Sequence, residues 1–213
     1  MMISRRWVII RFVGCFVALL ATSSSVRSAD ADELANGAEN FIREMSETAI
    51  LNLTEPDITR EERKLRLQGV MDQYFYVPGI GQWVLGRFWR QASAEERKEY
   101  LDLFGQLIIE SYVDKFASYT GESLEIVKTD IHNSKDAIVS STLKRPELNQ
   151  VVQLEWRVRT NNGVYKIIDI MVEGISMGQT QRSEFASALK SYGGDMGKFL
   201  EELRIRVSSH NSG

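Results

Sequence analysis

Residues 172–178 read VEGISMG and contain G-x-S-x-G, the spacing that presents a nucleophilic serine on a sharp turn between strand and helix. An apolar segment precedes the motif and an amphipathic one follows, so the local context is met. A serine needs more than a turn. A base must take its proton, a third group must orient that base, and in hydrolases of this kind the acid and then the histidine follow the serine. Beyond Ser176 the chain holds one histidine, His210, in a terminal SSHNSG, and no HGGG-type oxyanion segment is present. Ser176 is therefore read as a turn residue, with Gly174 and Gly178 letting the chain leave a strand and enter a helix.

Other reactive groups lead no further. Asp130 and His132 are close, but no second His or Cys completes a metal site, and the one cysteine is Cys15. Gly79, Gly81 and Gly86 do not reproduce the dinucleotide-binding G-x-G-x-x-G. Asp169 lies between Ile168 and Ile170. A carboxylate in an apolar cavity can act as a general base, and a hydrogen-bonded strand residue does not; the second reading is preferred. The expectation is a protein without catalysis, metal or cofactor.

The start of the chain reads as an export signal. Arg5 and Arg6 precede an apolar run from Trp7 to Ala21, interrupted by Arg11, and Ala29-Asp30-Ala31 offers small residues for cleavage after Ala31. The run is shorter than the roughly 20 apolar residues of a spanning helix. General secretory and twin-arginine routes both stay open, since Ser4 to Ile9 resembles a twin-arginine signal. Residues 32–213 then form one domain without a thiol. Residues 1–31 carry four of the 26 basic and one of the 29 acidic residues, so the remainder holds 22 against 28, a net charge of −6. That balance argues against a general affinity for nucleic acid or anionic membranes.

Helices are expected first. Leu34, Ala38, Phe41, Ile42, Met45 and Ala49 recur at helical spacing, and Pro56 ends that helix. Thr59 with Glu62 and Ser93 with Glu96 are capping-box patterns that open two more. Between them, Ile80, Val84 and Phe88 mark a short helix after Pro78. The helix after Ser93 is expected to turn Leu101, Phe104, Leu107, Ile108, Tyr112 and Phe116 inward and to keep Glu110 on its polar side. The period then changes to two over residues 124–131, 137–143, 152–159 and 164–173, with Asn162-Gly163 as a tight hairpin turn. Phe185, Leu189 and Tyr192, then Phe199, Leu200 and Leu203, mark two closing helices. The fold class is α+β: N-terminal helices on a four-stranded antiparallel sheet, with C-terminal helices packed back.

Residues 84–104, VLGRFWRQASAEERKEYLDLF, resemble the LG-x-[YW]-W-[RK]-x-[AS]-x-x-[EQ]-[RQ] block of the MlaC (toluene-tolerance) family, and SYVDKFASYTGE, residues 111–122, the block after it. Residues 164–185, VYKIIDIMVEGISMGQTQRSEF, are similar to the family's WKIxDVxVEGVSLxxNYRxxF. The departures are Gln181 for the usual Tyr and Tyr165 for a frequent Trp. The resemblance implies a nuclear-transport-factor-like sheet with helices closing an apolar lipid pocket. It also implies a periplasmic phospholipid carrier, working between an outer-membrane lipoprotein complex and an inner-membrane ABC transporter with an MCE-domain ring, and maintaining outer-membrane lipid asymmetry. A hopanoid-associated member of the family is the alternative. Such a carrier works as a monomer and needs a lined cavity. The apolar candidates for its wall are Val84, Leu85, Phe88, Trp89, Phe104, Leu107, Ile108 and Tyr112 on helices, and Val139, Leu154, Trp156, Ile168 and Ile170 on strands. Arg182 either meets a lipid phosphate at the mouth, where a guanidinium pairs bidentately, or forms an ion pair with Asp169 or Glu173.

Overall fold

The computed structural model describes residues 23–210, so most of the expected export signal lies outside the described residues. The first helix, α1 (Ser23–Leu53), runs through the expected cleavage point, and Leu34, Ala38, Ile42, Met45, Ala49 and Leu53 are buried along it. It lies across the inner face of the sheet, touching all four long strands. The second, α2 (Arg60–Tyr74), is capped by Thr59, whose side chain accepts from the Glu62 N–H at 3.1 Å. Only half of the expected box forms there, because the Glu62 carboxylate binds Arg66 instead. The short helix after Pro78 is two helices, α3 (Val77–Leu85) and α4 (Arg87–Gln91). Gly86 separates them at φ 61°, where a side chain is strained and glycine is not.

The long helix α5 (Ala94–Ala117) opens with the full Ser93–Glu96 capping box. Its burial departs from a single inward stripe. Tyr100, Leu103, Phe104 and Leu107 face one cluster of apolar side chains, and Ile109 and Val113 face another. Tyr112, expected inward, is 41% exposed, with the Lys115 ammonium 4.4 Å from its ring centroid. Glu110, expected in water, is buried between Arg60 (2.9 Å) and Lys64 (2.6 Å) of α2. A buried carboxylate is tolerated only with such partners, and these two join α5 to α2.

The sheet is an antiparallel meander in chain order, β1 (Ser123–Ile131), β2 (Asp136–Arg145), β3 (Gln150–Asn161), β4 (Val164–Val172) and β5 (Ile175–Ser176). It has five strands where four were expected. The fifth is two residues long, too short for a period-two pattern to register. Asn162 (φ 51°) and Gly163 (φ 79°) make the expected hairpin turn. Glu173 (φ 50°) and Gly174 (φ 77°) repeat that geometry between β4 and β5. The left-handed Glu173 is held by two bonds with Gln153: its N–H donates to the Gln153 carbonyl at 3.0 Å, and its carboxylate accepts from the Gln153 N–H at 2.7 Å. A bulge interrupts β4, since Val158 pairs with Ile167 and Arg157 with Asp169. Ile168 is the extra residue. The inward set on β4 is thus Ile167 and Ile170, not Ile168 and Ile170.

The β4–β5 turn delivers Ser176 to the start of α6 (Met177–Ser191) as its N-cap, accepting from the Gln179 N–H at 2.9 Å. The Ser176 hydroxyl donates to Asp169 at 2.6 Å. Asp169 also accepts from the Gly178 N–H at 3.1 Å and the Ile170 N–H at 2.9 Å. Helix α6 touches β4 and packs on α3, and α7 (Met196–His210) packs along α5. The closing helices thus complete a helical layer and leave most of the sheet to α1.

Asp136, fully buried at the start of β2, accepts from Arg159 through both oxygens (2.7 and 2.9 Å), from Arg157 at 2.8 Å and from Asn133 at 3.2 Å. These donors, Arg159 first, hold its pKa well below the usual carboxylate range against the opposing effect of burial.

Asp136→Asn is expected to lower stability by about 2 kcal/mol at pH 7, less than the 3–5 of a fully buried pair because both guanidiniums are partly solvated. A depressed carboxylate pKa stabilises the fold fully above the unfolded value of about 4 and progressively less below it. The gap between parent and variant urea midpoints should therefore be constant from about pH 7 to 5 and narrow as the pH falls below about 4. Ser176→Ala should cost about 1–2 kcal/mol through the lost cap and the lost bond to Asp169, read as a shifted urea midpoint with unchanged slope.

Candidate functional site

The apolar interior is divided. One cluster lies between α1, α2, the C-terminal half of α5 and the inner face of the sheet. The other lies among α3, α4, the N-terminal half of α5, α6 and α7. Its centre is aromatic: Phe185 meets Phe199 edge-on at 5.0 Å, and Tyr100 stacks on Phe104 at 5.8 Å. Tyr100 places its hydroxyl on the Gly81 carbonyl at 2.9 Å, and burial pushes its pKa up. Val77 and Ile108, both half-buried, pack against both clusters and so mark the seam where they meet.

The apolar residues read from the sequence fall on both sides of that seam. Val84, Leu85, Phe88, Phe104 and Leu107 are buried in the helical cluster, and Trp89 is half-buried against it. Val139 and Trp156 are buried in the sheet cluster, with Leu154 and Ile170 half-buried against it. The Trp156 indole N–H donates to Ser141 at 2.9 Å, giving that ring one fixed orientation. Of the fourteen residues read as a site, Ile108 alone touches both clusters. Tyr112 faces water and Ile168 sits half-buried on the bulge. Val77, just before Pro78, is absent from the residues read from the sequence. Its signal would have been its place one turn before Gly81 and two before Val84, both buried.

The polar groups near the seam are structural. Asp169 accepts from the Ser176 hydroxyl and the Gly178 N–H, which anchor α6 to β4, and from the Ile170 N–H of its own strand. Gly178 lies so close that a Cβ there would stand 2.9 Å from the Trp83 ring and 3.1 Å from an Asp169 oxygen. Arg182 pairs with neither Asp169 nor Glu173. Its Nη1 donates to the Trp83 carbonyl at 2.8 Å, its guanidinium stands 5.1 Å from the Trp83 ring centroid, and it lies against Gly86. A recess of about 170 Å³ beside the helical cluster is lined by Phe88, Leu189 and Met196, among others. A wider one of about 500 Å³ lies at the α1–α2 turn around Leu51, Pro56 and Arg66. Neither recess includes Val77 or Ile108 in its lining. Among the described residues, no group of three His, Cys, Asp or Glu could hold a metal, and no helix is long and apolar enough to cross a membrane.

Known proteins share this arrangement. A Ralstonia solanacearum phospholipid-binding protein, solved in complex with a phospholipid, has the same fold, with a TM-score of 0.71 over 81% of this chain and 97% of that one at 22% identity. The intermembrane phospholipid transport system binding protein MlaC of Haemophilus influenzae is 24% identical over 126 residues, covering 57% of this chain and 58% of that protein. The toluene tolerance protein ttg2D of Pseudomonas putida is 20% identical over 115 residues, covering 54% of this chain and 53% of that one. The chain thus spans a little over half the length of these curated relatives. The model of the MlaC protein family matches residues 43–204, from the middle of α1 into α7. With so continuous a match across both apolar clusters and the sheet, the chain belongs to the MlaC family.

Proposed function

We propose that this protein is a periplasmic carrier that holds the acyl chains of a phospholipid and moves it through water between membranes. The carrying observation is the divided interior. Two apolar clusters, each closed by its own contacts, share a seam at Val77 and Ile108. Acyl chains inserted along that seam would meet apolar side chains on both sides without dismantling either cluster. The relatives named for phospholipid binding and transport support the reading. Its energetic logic is simple: at about 0.8 kcal/mol per methylene, a chain of some fifteen methylenes costs roughly 12 kcal/mol to expose. A carrier supplies a dry enclosure, and Asp169, tied to three donors, has no part in chemistry.

On this reading residues 1–31 are the export signal, and Arg182, which has no carboxylate partner among the described residues, faces the lipid phosphate at the mouth. The cargo travels between an outer-membrane lipoprotein complex and an inner-membrane ABC transporter with an MCE-domain ring, maintaining outer-membrane lipid asymmetry. The carrier acts as a monomer and needs no cofactor.

Native mass spectrometry of protein recovered from the periplasm should show one bound phospholipid per chain, and a chain that stays lipid-free after incubation with phospholipid vesicles would overturn the carrier reading. Ile108→Trp, which fills the seam from α5, should cut lipid loading at least tenfold while costing about 1–3 kcal/mol of stability from overpacking. Unchanged loading would move the binding site away from the seam.

A further inference from the structure

The arginines of this chain divide into two populations. Arg43, Arg60, Arg66, Arg145, Arg157, Arg159, Arg204 and Arg206 each form an ion pair with a carboxylate, and buried Arg63 donates to the Leu53 carbonyl. The remaining arginines with described side chains are Arg87, Arg90, Arg97 and Arg182. None of them has a carboxylate partner among the described residues, and all four meet around the five-residue helix α4. Arg87 stands 4.9 Å from the Phe88 ring centroid. Arg97 stands 5.4 Å from that of Trp89 and donates to the Trp89 carbonyl at 2.8 Å and the Arg90 carbonyl at 3.4 Å. Arg182 lies over Trp83 and against Gly86.

Rings and carbonyls orient a guanidinium without neutralising it. Keeping four such charges together is unfavourable unless an anion meets them, and Glu96, the carboxylate beside α4, is taken up by the Ser93 N–H. The side chains beside them are amphipathic. Trp83, under Arg182, is 44% exposed, and Ile175, three residues before the Gly178 that adjoins the Trp83 ring, is exposed as well. Arginines beside an exposed Trp suit the headgroup layer of a bilayer, where phosphates take the guanidiniums and the ring sits at the interface.

We infer that the α4 arginines form a contact face for an anionic bilayer surface, which holds the carrier at the membrane from which lipid is taken or to which it is given. The inference rests on the carrier reading for its purpose, and on the unpaired arginines for its location. The net charge of the chain argues against general membrane affinity, so the attraction is local to this face.

The test is co-sedimentation of periplasmically recovered protein with vesicles of phosphatidylcholine alone or with one third phosphatidylglycerol. Partition should be at least tenfold higher on the anionic vesicles at low salt and fall to the neutral level in 0.5 M salt. Arg87→Gln/Arg90→Gln should lower it about tenfold. The charge-matched Lys128→Gln/Lys144→Gln, on β1 and β2, should leave it within twofold. Equal partition on both vesicle types overturns the inference and leaves the arginines to an acidic protein face, and a double arginine variant that partitions like the parent overturns it too. Lipid loading, read by mass spectrometry on the same samples, separates the two ideas. Loading without partition defeats the contact face alone, whereas partition without loading defeats the carrier reading alone.

Discussion

Helix α5 has to bury two faces at once, and the rest of the structure is arranged around that constraint. Tyr100, Leu103, Phe104 and Leu107 belong to the helical cluster, Ile109 and Val113 to the sheet cluster, and Ile108 to both. A helix that is apolar on two sides has little polar surface left to fix its rotation. Its ends and one buried charge do so instead. The Ser93–Glu96 box sets the first turn, and Glu110, clasped by Arg60 and Lys64, fixes the second half against α2. Desolvating the Glu110 carboxylate offsets much of what the two ion pairs gain, so the group contributes little net stability. Glu110 thus specifies orientation more than it adds stability.

A second chain of contacts ties the sheet to the helical layer and explains the glycines of VEGISMG. Gly174 supplies a left-handed residue so that β5 can fold back on β4. Gly178 supplies the absence of a Cβ, so that Trp83 and Asp169 can both touch the start of α6. From Asp169 the contacts continue through Gly178 to the Trp83 ring, from Trp83 to Arg182, and from Arg182 to Gly86, where α3 ends and α4 begins. The segment that resembles a nucleophile elbow is therefore a joint. Its serine is close to a carboxylate because both cap one helix, and geometry that would look catalytic in a motif search is here mechanical.

What was legible in the sequence was what neighbours in the chain decide. The Asn162-Gly163 turn, the Ser93 cap and the strict alternation of β3 depend on residues a few positions apart, and each stands where its pattern puts it. The fold class followed from those local signals and from the resemblance of three long segments to one family. Features set by distant partners were hidden. Glu110 reads as a surface residue until Arg60 and Lys64, about fifty positions away, are brought to it. Tyr112 reads as core at helical spacing, but α5 has two apolar faces and its stripe is not single. The β4 bulge falls where Ile167 and Ile168 adjoin in the sequence, and which of the two turns inward is a matter of register with Arg157 and Val158. For the candidate site, the apolar residues read from the sequence lie inside apart from Tyr112, but their division stays hidden, since composition says which residues are inside and not which of two insides they share.

That division bears on how a carrier could both hold and release its cargo. Were the acyl chains to enter a single close-packed core, every methylene admitted would displace a protein contact, and the empty and loaded states would differ by strain. A seam between two self-sufficient clusters avoids this. Separating Val77 and Ile108 from their second set of neighbours exposes side-chain area worth a few kcal/mol at about 25 cal/mol per Å². A lipid that replaces those contacts with its own methylenes returns more than that. On the carrier reading, the closed seam would protect apolar surface from water when no lipid is bound, and the same surface would become the wall when one is. Release would require only that a membrane or a receiving protein offer the chains an equally dry environment, because neither cluster has to refold afterwards.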